Sequence, residues 1–186
     1  MHEPTRGPIE VHVGEWKVVV ARERPASLDD DLKYAGLADD FGRGDPEDDG
    51  YVFAGVCGPG EDWPSLVVSG TYGPSSGGFE PGILIVPTTE QVFVGAGSRA
   101  VSYRREATGW RRAWDIEVDG GFWAWRQHGE IVVMLAELEM AAWSADGTRL
   151  WSTFVEPPWS YGVADGIVSL DVMGSVTEFP LLTGPS

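Results

Sequence analysis

A tryptophan-centred pattern in the C-terminal half repeats itself, and this repetition constrains the fold more than any other feature. Trp123-Ala-Trp125 returns as Trp159-Ser-Tyr161, and Ile131-Val132 returns as Ile167-Val168, each 36 residues later. A second pairing runs alongside. Arg112, Trp114 and Val118 return 37 residues on as Arg149, Trp151 and Val155, with Gly109 ahead of the first set and Gly147 ahead of the second. Self-similarity at such a period, with strand-like alternation inside each unit, is how stacked β-meanders look in sequence. Trp114 and Trp151 then occupy equivalent places and are expected to be buried against a neighbouring unit.

The rest of the chain supports a β reading. Strands are expected at 9–22 (one or two), 51–57, 65–72, 82–87, 91–95, 99–105, 111–118, 121–127, 131–138, 140–145, 149–155, 167–173 and 176–182. Gly- and Pro-rich punctuation such as Gly58-Pro59-Gly60, Asp119-Gly120-Gly121, Asp146-Gly147 and Asp165-Gly166 separates them. Many short strands with turn signals between them mean a sandwich, a barrel or a propeller. Val92-Phe93-Val94 and Ile131 to Leu135 are apolar on both faces and should be inner strands. One short helix is expected over 28–35. Ser27 stands three residues before Asp30, the spacing of a capping box, Leu28, Leu32 and Ala35 share a face, and Gly36 can end it. The segment 39–50, rich in Asp and Gly, reads as an acidic surface loop. The fold class expected is all-β, a single domain over 1–186 built from antiparallel hairpin repeats, propeller-like or curled into a β-sandwich.

Ala142-Trp143, the Asp146-Gly147 turn and Leu150-Trp151 form one aromatic hairpin. Val101-Ser-Tyr103, Gly109 and Ala113-Trp114 echo it, and Val176 to Gly184 gives a third partial copy. The unit resembles a blade of the quinoprotein-like β-propeller group, over residues 82–184 only. A closed ring needs at least about four blades, which this length barely allows, so an opened blade stack or a curled sandwich fits equally. A fold resemblance of this kind does not carry a function with it.

Charge narrows the functional classes. The chain has 29 acids against 13 bases, a net charge of −16. Phosphate binding is driven by Lys and Arg, so nucleic acid is excluded as a partner, and an anionic membrane with it. The sign favours solubility, a basic protein partner or cations. No run of 18 apolar residues is present and the N-terminus has no charged-then-apolar leader, so a cytoplasmic protein is expected. The single Cys57 sits among Val52, Phe53 and Val56 and reads as a buried small hydrophobe.

Catalytic and ligand-binding motifs fare poorly. Gly73-Pro-Ser75-Ser-Gly77 matches the nucleophile-elbow pattern, but no helix follows it, and it reads as a hairpin loop. Asp45-Pro-Glu47-Asp48-Asp49-Gly50 begins like a calcium loop, yet Val56 stands where a bidentate Glu is required. His2, His12 and His128 have no metal-ligand spacing, and Gly95-Ala-Gly97 lacks the Lys and helix of a phosphate loop. No cofactor and no metal are expected. Glu137 and Glu139, two apart, would share one strand face and form the catalytic candidate, a carboxylate pair for acid/base or glycosidase chemistry. Trp123, Trp125 and Trp159, beside Glu156-Pro157-Pro158 and Tyr161, read first as core plates between strands; the other reading has them line a groove for a sugar or peptide.

These readings converge on a non-enzymatic, macromolecule-binding protein with an acidic surface, of inhibitor or immunity type for a basic partner. Its binding residues would be Asp45, Glu47, Asp48 and Asp49, in a loop where such residues tend to sit. Two alternatives stay open. One is a carbohydrate-binding or carbohydrate-acting domain that uses the tryptophans and the Glu pair. The other is a structural repeat protein that assembles through open sheet edges.

Overall fold

The computed structural model describes residues 7–42, 50–73 and 79–185. The chain packs as two compact units. Of the described residues, the first takes those up to 73 with 105–111, and the second takes 79–104 with 112–185.

The first unit holds Ile9–Val13 (β1), Trp16–Ala21 (β2), Leu28–Tyr34 (α1), Leu37–Asp40 (β3), Gly50–Cys57 (β4) and Leu66–Tyr72 (β5). The strands form one sheet in the order β1-β2-β4-β5-β3. Gly14, at φ +62°, makes the tight turn that pairs Val13 with Trp16. β4 lies inside the sheet, and Val52 to Cys57 are buried without interruption. Cys57 is a free, buried thiol, and burial raises its pKa.

Two expectations fail in this unit. The helix forms, but Ser27 does not cap it through its side chain. Its backbone is already helical, so the hydroxyl turns inward and donates to Asp31 Oδ2 at 2.8 Å. That bond lets Asp31 be buried beside Leu28, while Leu32 stays exposed. The helix ends at Ala35 in extended geometry, without a left-handed Gly36.

The second failure concerns the acidic loop. Asp39 and Asp40 are not loop residues; they close β3, which pairs in parallel with β5 at the sheet edge. Ladder bonds are made by backbone groups, so acidic side chains can sit on an edge strand with one face outward. Phe41 then plugs the core at 2% exposure, its N–H donating to the Ser69 carbonyl at 2.8 Å.

The second unit is a series of antiparallel meanders. Gly82–Val86 (β6), Gln91–Ala96 (β7), Arg99–Glu106 (β8) and Gly109–Glu117 (β9) form one sheet, with 105–111 at the tip of the β8–β9 hairpin counted in the first unit. Phe122–His128 (β10), Ile131–Ala136 (β11), Glu139–Ser144 (β12) and Arg149–Phe154 (β13) form the next. Trp159–Ala164 (β14), Ile167–Val172 (β15) and Ser175–Pro180 (β16) form a three-stranded sheet. The sequence expectation missed β14, because Pro157-Pro158, Gly162 and small residues dilute its apolar signal. The fold class is all-β, with one helix among the described residues and no sheet closed into a barrel.

Sheet β10–β13 is buried on both faces. Trp125, Val132, Met134, Ala141 and Trp143 pack with Val86, Phe93 and Ala100 of β6–β8. Val133, Met140, Ala142, Trp151 and Val155 pack with Val168, Leu170 and Phe179 of β15 and β16. The pairings of β10–β11–β12 recur 36 residues later in β14–β15–β16. Trp125↔Met134 becomes Tyr161↔Leu170, and Val132↔Trp143 becomes Val168↔Phe179.

The tryptophans that differ by 37 behave alike in part. Trp151 Nε1 donates to the Leu181 carbonyl at 2.7 Å, and Trp114 Nε1 to the Gly147 carbonyl at 2.9 Å. Trp151 is buried as expected. Trp114 is only half-buried, stacking on Trp143 with centroids 5.1 Å apart.

Candidate functional site

The candidate tryptophans do not line a common groove. Two residues apart on a regular strand they would share a face. A bulge at Trp123 breaks that rule: Phe122 pairs with Ala136 and Ala124 with Leu135, leaving Trp123 as the extra residue. A bulge re-aims a side chain. Phe122 and Trp125 therefore enter the same core cluster, and Trp125 is 6% exposed. Trp123 turns elsewhere and stacks on Trp159, with centroids 5.2 Å apart and planes within 8°. Phe79 packs against Trp123 at 4.9 Å. Trp159 Nε1 donates to the Glu137 carbonyl at 3.2 Å. The indole N–H groups of Trp123 and Trp125 are buried and meet no acceptor among the described residues.

The carboxylate pair is also divided. β11 ends at Ala136 and β12 begins at Glu139, so Glu137 lies in the hairpin turn and Glu139 on the returning strand. The shared strand face expected from their spacing does not exist. Glu137 is held by its backbone, its N–H donating to the Gly121 carbonyl at 2.9 Å. Glu139 accepts Arg149 Nη2 at 2.9 Å, and that guanidinium also lies 5.8 Å from the Trp143 ring centroid. Burial raises the pKa of Glu139, with Arg149 opposing the rise and Asp119 adding to it.

His128 makes a link that sequence spacing did not reveal. Its Nε2 lies 3.0 Å from the Tyr161 hydroxyl, the rings meeting edge to face. Burial, with Arg126 nearby, lowers the His128 pKa, and burial raises that of Tyr161.

Asp45, Glu47, Asp48 and Asp49 lie outside the described residues, as do Pro74 to Gly78 of the Ser75 motif. Among the described residues no cluster of three or more His, Cys, Asp or Glu side chains is placed to hold a metal ion, and no helix is long and apolar enough to cross a membrane.

The surface feature that sequence reasoning missed is in the first unit. Tyr34 of α1 and Trp63 stand 53% and 47% exposed with ring centroids 5.2 Å apart. Two sequence signals pointed there. Tyr34 falls off the helix's apolar face, and Trp63 lies in a polar turn between Asp62 and Pro64, away from any strand and from the repeating region.

Arginine charges in both units are largely met by carboxylates. Arg24 pairs with Asp29, Arg105 with Glu61, Arg111 with Glu106, Arg99 and Arg112 with Asp115, and Arg149 with Glu139. Many of the remaining acids, among them Glu15, Glu23, Asp30, Asp62, Glu90, Glu117, Glu130, Glu156, Asp165 and Glu178, are exposed. Compared with known proteins, the chain matches no protein-family model and no curated protein by sequence.

Proposed function

We propose that this is a non-enzymatic binding protein that recognises a basic protein through its acidic surface, in the manner of an inhibitor or immunity protein. The observation that carries the reading is the distribution of charge. Six arginines are engaged by carboxylates, and many of the other acids among the described residues lie exposed, on a chain whose net charge is −16. Such a surface steers a basic partner and repels acidic ones. The alternative carbohydrate reading has less support: Trp125 is core, Trp123 is packed by Trp159 and Phe79, and Glu139 is committed to Arg149. The reading places the protein in the cytoplasm, where the unpaired Cys57 thiol stays reduced. It also takes the three meanders of the second unit as a propeller-type stack, supported by the register that recurs after 36 residues.

The test is kinetic. A partner captured from the native host should bind with an on-rate that falls steeply from low salt to about 0.5 M, while the off-rate changes little. Replacing Asp45, Asp48 and Asp49 by Asn and Glu47 by Gln should lower the low-salt on-rate in the same way. An on-rate indifferent to salt would remove the reading.

A further inference from the structure

We propose that the Tyr34–Trp63 pair anchors a docking surface for a cationic, arginine- or lysine-bearing segment of another protein. The proposal rests on the acidic-surface reading and gives it a location.

Exposure is the first ground. Tyr34 and Trp63 are 53% and 47% exposed. Tyrosine and tryptophan are the residues that dominate binding energy at interfaces, since each offers a large apolar area with a polar tip.

The second ground is rigidity. Gly36 and Leu37 both donate their N–H to the Ser65 carbonyl, at 2.9 and 3.0 Å, and the Ser65 N–H donates to the Val56 carbonyl at 2.9 Å. Trp110 Nε1 donates to Ser65 Oγ at 2.9 Å, and Pro64 is buried. Tyr34 lies two residues before Gly36, and Trp63 two before Ser65. One hydrogen-bonded knot therefore fixes both backbones beneath the rings, and a partner need not order them on arrival.

Charge selects the occupant. Asp62 adjoins Trp63, and Asp30 lies one helical turn before Tyr34; both are exposed. The chain's own Lys33 already places its ammonium 5.0 Å from the Tyr34 ring centroid, so a cation is accommodated at this pair. Tryptophan is the strongest cation–π acceptor among the side chains, and an incoming guanidinium or ammonium can lie on Trp63 while Asp30 and Asp62 meet its charge.

The experiment uses the full chain labelled with fluorotryptophan, titrated at low salt with a short arginine–glycine peptide and followed by fluorine NMR. Trp63→Phe assigns the signal. The Trp63 resonance should move with saturation. Trp63→Ala and Tyr34→Ala should each weaken binding about tenfold, as loss of an interfacial aromatic anchor does, with unchanged far-UV circular dichroism. Lys33→Gln should tighten binding, an effect that a purely structural role for the pair would not give. The same peptide with citrulline in place of arginine should leave the resonance still; an equal shift would overturn the cationic occupant. If the arginine peptide binds both alanine variants as well as wild type, this docking site is wrong while the acidic-surface reading stands. If it binds none of them, both fall.

Discussion

Strands β10–β12 and β14–β16 share one backbone register, apart from the bulge at Trp123, and differ in what covers them. Ile131↔Ser144, Val133↔Ala142 and Leu135↔Met140 become Ile167↔Pro180, Ser169↔Glu178 and Asp171↔Val176 at an offset of 36. On one face the chemistry is kept: Val132, Met134 and Trp143 answer to Val168, Leu170 and Phe179, all buried. On the other it is not. Val133 and Ala142, buried against the last sheet, answer to half-buried Ser169 and exposed Glu178. Register thus follows from turns and pairing, while the chemistry of each face records whether a neighbour lies on it. A stack of similar units ends where its outward face turns polar.

The largest effect should come from moving the polar character inward. Val133 is fully buried, so Val133→Asp buries a carboxylate without a partner and should cost roughly 4 kcal/mol or more. Ser169→Asp, at the matching place, should stay within about 1 kcal/mol. Urea midpoints of the two variants test this. Equal losses would mean that the outer face of β14–β16 is as covered as the inner one.

Next come the two tryptophans related by 37. Trp151→Ala should cost about 3–5 kcal/mol, the range for truncating a buried aromatic. Its indole is 8% exposed and holds the Leu181 carbonyl. Trp114→Ala should cost closer to about 2 kcal/mol, since Trp114 is only half-buried. A loss at Trp114 equal to that at Trp151 would make the two sites true equivalents and blur the contrast between the sheets.

Much of this architecture was legible in the residues. Turn glycines and apolar alternation located most of the strands, because both signals are local. What escaped was non-local. β3 has no alternating apolar pattern in Leu37-Ala-Asp-Asp40 and exists because β5 offers it a ladder. The bulge at Trp123 shifts one residue and sends two tryptophans of identical spacing to different surroundings. Glu137 and Glu139 look like a strand-face pair until the turn falls between them. The Tyr34–Trp63 pair joins residues 29 positions apart through the Ser65 knot, which no spacing rule contains.

A smaller effect separates the sheets through pH. His128 of β10 meets Tyr161 of β14, whereas its own counterpart, Ala164, is exposed. Burial holds the folded pKa of His128 below its ordinary value of 6.5. The native state then binds the proton less readily than the unfolded chain. Its contribution is complete above 6.5 and is lost as pH falls from there through the depressed value. His128→Gln should flatten the stability profile between about pH 7.5 and 5, where an unperturbed histidine titrates. An unchanged slope in the variant would mean that the His128–Tyr161 contact contributes no pH dependence.

The smallest expected effect has the opposite sign. Glu139 of β12 is nearly covered, its side chain 12% exposed, while its counterpart Ser175 faces solvent. Burial raises its pKa above the ordinary 4.5 despite the Arg149 ion pair. The native state therefore holds this proton more tightly than the unfolded chain does. Stability from this group is greatest at and below 4.5 and declines as pH rises through the raised value. Glu139→Gln keeps the shape and a hydrogen-bonding oxygen for Arg149 but removes the charge. Measured by urea midpoint, the variant should gain on wild type as pH rises from 4.5 to neutrality. If it loses ground instead, the attraction of Arg149 outweighs the burial of the carboxylate, and Glu139–Arg149 is a net stabilising pair peculiar to the doubly covered sheet.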